Sequence, residues 1–138
     1  MKRTLVRTAA LAFIVFFIII IRIADRGEGN LWWAFIGSIP YGDKVGHLGL
    51  VGMLSLLCNL AIPPRPATRW TRCITLTTWV LLVLLSLEEL AQAFIPTRTC
   101  DLFDWLADLA GLVLGQSAAS LLRRWVARDP KVKSVIQS

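Results

Sequence analysis

The run from Leu5 to Ile21 is apolar and, after Arg7, carries no charge. A stretch of that kind reads as one helix of about 20 residues, the length that crosses a hydrocarbon core of roughly 30 Å. Three further apolar runs follow, beginning near Asp43, Trp70 and Asp101. In a chain of 138 residues that is 56% hydrophobic, four such helices use most of the length and leave no room for a separate soluble domain. The expected fold is all-α: a polytopic membrane protein forming one domain over 1–138. Its four-transmembrane-helix bundle has spans at about 5–22, 43–62, 70–95 and 101–122.

Lys2, Arg3 and Arg7 give the first run the basic start of a signal peptide. Its apolar core is too long for one, and only IRIADRG follows where a small-x-small cleavage pattern would stand, so it is expected to stay as a first span. The connection from Arg22 to Gly42 holds the breakers Gly27, Gly29 and Pro40 around Trp32, Trp33 and Phe35. Tryptophan pairs favour the headgroup region, so this connection is expected to lie on the membrane as an anchor, with a lid or platform for an amphiphile as the alternative. Pro63 and Pro64 end the second run, and Arg65, Arg69 and Arg72 make the next loop basic.

Net charge is +6, but Lys and Arg flank the apolar runs instead of clustering on a water-facing arm, which argues against nucleic acid as a partner. Cytoplasmic loops hold the Lys and Arg excess in membrane proteins. The first segment, the Arg65–Arg72 loop and the tail from Arg123 hold eleven of the fifteen, leaving Arg22, Arg26, Lys44 and Arg98 on the opposite side. Both termini are therefore expected in the cytoplasm. The acids divide the other way, with only Asp129 on the inner side. The tail RRWVARDPKVKSVIQS is expected to be short and partly disordered. Cys58, Cys73 and Cys100 form neither a zinc pattern nor a disulfide framework; Cys58 and Cys73 read as packing residues and Cys100 as a free thiol.

Charge inside these apolar runs is concentrated in one place. Asp43 and His47 are four apart at the start of the second span and share a helix face. Gly46, Gly49 and Gly52 on the same span are small enough to admit a neighbouring helix. On the third span Glu89, Gln92 and Ser86 share a face, while Glu88 is rotated by about 100 degrees, so Glu89 is expected to point inward. Asp101, Asp104, Asp108, Gly111 and Gly115 recur in steps of three and four, one stripe of the fourth span. In the four-span topology Asp43, His47, Glu89, Gln92, Asp104 and Asp108 reach similar depth near the outer face, and Arg98 in the turn PTRTC is placed to sit over them. Ionisable groups inside a membrane are functional candidates by default. Helix capping and helix-to-helix glue are the competing explanation for any one of them, and their coincidence on three faces favours a site. With only Lys44 and Arg98 as counter-charges, at least one carboxyl is expected to be protonated at neutral pH or a cation to be bound, and Glu89 is the carboxyl expected to hold the proton.

In their order, the DKVGH of Asp43 to His47, the ELAQ of Glu89 to Gln92, the PTR ending at Arg98, Asp104, and the closing Gly111 and Gly115 resemble the VanZ-like family of membrane proteins. The resemblance spans Asp43 to Gly115 and has one departure: the family usually has asparagine where this chain has Asp108. It implies a protein of the bacterial inner (cytoplasmic) membrane. It also implies a link to low-level resistance to the lipoglycopeptide teicoplanin, and carries over no established reaction.

Two functions compete. One is an accessory protein that binds a membrane lipid, a lipid-linked envelope component or a lipophilic glycopeptide antibiotic at the outer leaflet. The other is an intramembrane hydrolase or transferase in which Glu89 or His47 acts as general base and Asp104 or Asp108 as acid or metal ligand. With no serine or cysteine paired to His47, water activation is the chemistry expected of the second. Transport of ions or protons is less favoured, because the polar groups stop in the outer half. No glycine-rich phosphate loop is present and no cofactor is expected, metal binding is an open alternative, and nothing in the pattern fixes an oligomeric state.

Overall fold

The computed structural model describes residues 2–26, 38–62, 74–95 and 101–128. Within them lie four helices and no strand: α1 Lys2–Asp25, α2 Gly42–Ala61, α3 Leu76–Gln92 and α4 Leu102–Arg128. At 1.5 Å per residue they are about 36, 30, 25 and 40 Å long. Three of them, α1, α2 and α4, are long and apolar enough to cross a membrane, and the all-helical architecture fits a four-helix bundle. The expected third span of about 70–95 is shorter as a helix, 17 residues from Leu76.

Local chemistry sets these ends. Thr75 caps α3, its Oγ1 accepting the Thr78 N–H at 3.2 Å, and so fixes the start of the helix. The other end of α3 tightens into i to i−3 bonds, Phe94 N–H to Ala91 O and Ile95 N–H to Gln92 O, both 3.0 Å, ahead of Pro96. Asp101 caps α4, with Oδ1 accepting the Phe103 N–H at 2.8 Å. Tyr41 enters α2 in the left-handed region at φ 60. Ile62 N–H closes α2 on Cys58 O at 3.0 Å, immediately before two prolines that have no N–H to continue it.

The helix directions alternate along the chain. Lys44, His47 and Ser55 of α2 meet Asp104, Asp108 and Leu112 of α4 in the same order, so these two run parallel. Ser86 meets Trp105, while Thr75 at the opposite end of α3 meets Gln116, so α3 runs against α4. Helix α2 is central and packs on α1, α3 and α4; its most extensive contact is with α4. Val51, Leu85 and Leu112 form the buried core, with Phe17 of α1 and Leu81 and Leu82 of α3 packed on it.

Glycine sets the spacing between α2 and α4. A Cβ at Gly111 would stand 2.8 Å from Leu48 O and 2.9 Å from Gly52 N, and one at Gly115 would collide with Gly52 O. A Cβ at Gly46 or Gly49 would meet nothing within 4 Å among the described residues, so of the three glycines expected to admit a helix on α2 only Gly52 lies at the crossing with α4. The reason is rotational: α2 meets α4 along the line of Leu48, Val51, Gly52 and Ser55, which excludes Gly46 and Gly49.

A buried polar group ties the end of α2 to α3 and α4. Ser55 Oγ donates to Leu112 O at 2.8 Å, Asn59 Nδ2 donates to Thr78 Oγ1 at 3.0 Å, and Thr75 Oγ1 donates to Asn59 Oδ1 at 2.5 Å. The guanidinium of Arg123 donates to the carbonyls of Asn59, Leu60 and Ile62, the last at 2.9 Å. Helix α4 continues to Arg128, past the end expected for the fourth span near Leu122, and the rest of the tail lies outside the described residues. Those carbonyls at the end of α2 have no helical N–H partner, and Arg123, near the far end of α4, supplies the donors.

The outside is apolar. Leu11, Phe16 and Ile18 of α1, Leu84 and Leu87 of α3 and Val113, Leu114 and Leu121 of α4 are all exposed, and on α1 Ala10 is the one buried hydrophobic residue. Apolar surface on that scale marks a contact with lipid or with other apolar surfaces, not with water.

Candidate functional site

Helices α2 and α4 both start at the end of the bundle where α3 stops, and the polar residues gather there. The face of α2 turned toward α4 presents Lys44 one turn before His47. The Lys44 ammonium donates to Asp43 Oδ2 at 2.9 Å, to Asp101 Oδ2 at 3.0 Å and to Asp104 Oδ1 at 2.9 Å. An ammonium has three N–H donors, so each of these carboxylates takes one. Asp43 sits at the rim, 55% exposed, whereas the Asp104 side chain is 15% exposed.

One turn deeper, His47 Nδ1 lies 3.0 Å from Oδ1 of Asp108, which is 3% exposed. Asp104 and Glu89 also lie near that imidazole. Asp108 shares its α4 face with Gly111 and Gly115, and the absence of side chains at those two positions brings α2 close enough for the pair to form.

Helix α3 contributes Glu89 from its last turn. Glu89 is 4% exposed, and its Oε1 accepts the backbone N–H of Asp101 at 2.8 Å, which links α3 to the cap of α4. Its other oxygen, Oε2, is buried without a hydrogen-bond partner among the described residues. Ser86, one turn back, accepts the Trp105 indole N–H at 3.0 Å and holds α3 against α4 beneath the cluster.

Asp43, His47, Glu89, Asp104 and Asp108 thus converge at one end of the bundle, and Glu89 faces inward as its spacing implied. Gln92 is buried but bonds along its own helix, Nε2 donating to Glu88 Oε1 at 2.8 Å. Arg98, Trp32, Trp33, Phe35, Cys73 and Cys100 lie outside the described residues. Sequence reading counted Lys44 only as a counter-charge, yet it is the hub. Its spacing of three to His47, continued at Val51 and Ser55, admits this role as readily as the spacing of four that joins Asp43 to His47. Asp101 was read as one acid of a stripe; in the structure it joins Lys44 through its side chain and Glu89 through its N–H.

Among the described residues no three His, Cys, Asp or Glu side chains assemble as a metal site. The arrangement can hold a charged or hydrogen-bonding head group, and the His47–Asp108 pair can orient an imidazole for proton transfer. No protein-family model, curated protein or solved structure matches the chain.

Proposed function

We propose that the chain is a VanZ-like integral membrane protein of a bacterial cytoplasmic membrane, with four alternating spans and both termini inside. In this reading the polar cluster lies at the outer face and binds the head group of a lipid-linked envelope component or a lipophilic glycopeptide, in a resistance or envelope-accessory role. The observation that carries the reading is the convergence of Lys44, His47, Glu89, Asp104 and Asp108 from three helices at one end of a bundle whose outside is apolar. Polar groups placed there are costly unless they serve a partner, and an amphiphile brings a head for the cluster and a tail for the surrounding surface.

A second reading, an intramembrane hydrolase or transferase using Glu89, His47 and Asp104, is favoured by one feature. Asp108 holds His47 Nδ1 at 3.0 Å, and Nε2 has no hydrogen bond among the described residues, the arrangement in which a carboxylate orients an imidazole base.

Mass spectrometry of lipids retained by the purified full chain tests the first reading. An envelope lipid enriched over the source membrane, and no longer enriched with His47→Ala, is the expected result. A retained lipid mixture equal to the bulk membrane overturns it. Conversion of an added lipid during incubation selects the second reading.

A further inference from the structure

We infer that the head group taken by this site is cationic, an ammonium carried by an amphiphile and received by Oε2 of Glu89. The inference rests on the binding reading above and specifies its ligand. Its starting point is the state of the cluster's donors and acceptors.

Lys44 is the cation that an anionic head group would seek. Its three N–H donors are already directed at Asp43, Asp101 and Asp104, at 2.9 to 3.0 Å. A phosphate approaching Lys44 would have to displace one of these carboxylates and then lie among the others. His47 is committed through Nδ1 to Asp108. Among the described residues the cluster therefore sets five carboxylates against one ammonium and one imidazole.

The acceptor side is incomplete where the donor side is full. Glu89 is more than nine-tenths buried, and Oε2 has no partner among the described residues although Oε1 is well placed on the Asp101 N–H at 2.8 Å. A buried carboxylate oxygen left without a donor carries its desolvation penalty uncompensated, so a ligand that supplies an N–H recovers that loss. An ammonium supplies the donor and also offsets the surplus negative charge. It needs no three-ligand geometry, which the described residues do not offer a metal ion.

The surface around the site suits the tail of such a ligand. Asp101, whose side chain is 34% exposed, forms the rim beside Oε2, which is itself buried, so the head must part the surrounding side chains to reach it. Leu90, Phe94, Leu102 and Phe103 are exposed at the same end and give an alkyl chain apolar surface to lie along.

The test uses the full chain in phosphatidylcholine nanodiscs, titrated with dodecylammonium, dodecyl phosphate, dodecyl maltoside and the tailless ethylammonium, with protein-free nanodiscs as blank. Dodecylammonium is expected to bind about tenfold or more tightly than dodecyl phosphate, and ethylammonium much more weakly. Glu89→Gln keeps an oxygen for the Asp101 N–H and removes the charge. It is expected to lower dodecylammonium affinity about tenfold with the melting temperature unchanged. Saturable binding of dodecyl phosphate at equal or higher affinity overturns the cationic preference and leaves a head-group site standing. Ethylammonium binding as tightly as dodecylammonium overturns the amphiphile, and unchanged affinity in Glu89→Gln overturns the role of Oε2. No binding of any probe above the blank overturns this inference and the binding reading together.

Discussion

Replacing Gly115 with alanine adds one methyl group at the tightest approach of α2 to α4. The new Cβ would overlap Gly52 O and stand 2.7 Å from Ser55 Cβ and 2.8 Å from Leu56 N. Two of these atoms belong to the α2 backbone, which cannot turn aside as a side-chain tip can, so the helices must separate by roughly 1 Å. Separation lengthens the Ser55 to Leu112 O bond, now 2.8 Å, and lifts Asp104 and Asp108 away from Lys44 and His47. Overpacking of this kind costs about 1–3 kcal/mol, and the rigid neighbours put Gly115→Ala at the upper end. The better helix propensity of alanine returns at most about 1 kcal/mol, roughly the value of the weakened hydrogen bond. A net loss of about 3 kcal/mol lowers the melting temperature of a chain this size by about 10 °C. Gly52→Ala is the control on the facing helix: its Cβ meets nothing nearer than Gly111 O at 3.6 Å, so stability should stay within about 1 kcal/mol of the parent. Thermal unfolding of the full chain in detergent, followed by circular dichroism, reads both. An unchanged melting temperature in Gly115→Ala, or greater damage from Gly52→Ala, would refute the account of the α2 to α4 crossing.

Arg123→Ala should cost about 1–3 kcal/mol by orphaning the carbonyls of Asn59, Leu60 and Ile62, and Arg123→Lys should restore part of it; denaturant titration of the two variants checks the order. Asp108→Asn retains an oxygen for His47 Nδ1 and should keep stability within about 1 kcal/mol, whereas Asp108→Ala should cost about 1–3 kcal/mol, both measurable by thermal unfolding. For topology, the eleven-to-four division of Lys and Arg predicts that reporters fused after Asp129 are active only in forms that work in the cytoplasm; activity confined to exported reporters would reverse the orientation.

The helices were legible because apolar runs of membrane length admit few alternatives, and the inward face of Glu89 followed from its three-residue spacing to Ser86 and Gln92. The stripe from Asp101 to Gly115 was legible for the same reason, since five residues in steps of three and four define one helix face. Periodicity could not fix which face of α2 meets α4. Asp43 with His47 and Lys44 with His47 are both admissible spacings, and the choice is made by α4, whose glycines accept the line through Leu48 and Gly52. It is the same tertiary choice that leaves Gly46 and Gly49 off the crossing with α4. The polar lock of Ser55, Asn59, Thr75, Thr78 and Arg123 was hidden for another reason. Its members are spread over three helices and are neutral apart from Arg123, so no charge contrast marks them against their apolar neighbours.

Whether the cluster serves a ligand or only joins helices is decided by Glu89→Gln in cells and in detergent together. The substitution keeps the size of the side chain and the Oε1 bond to Asp101, so a purely structural role predicts little change in either property or a parallel loss of both. Melting temperature is measured on the purified variant, and tolerance to a lipophilic glycopeptide on the strain that carries it. A melting temperature within about 2 °C of the parent, with tolerance lost, is the result expected of a ligand site. Tolerance that falls only in step with the melting temperature, or that persists unchanged, would mean that Glu89 holds helices together and binds nothing.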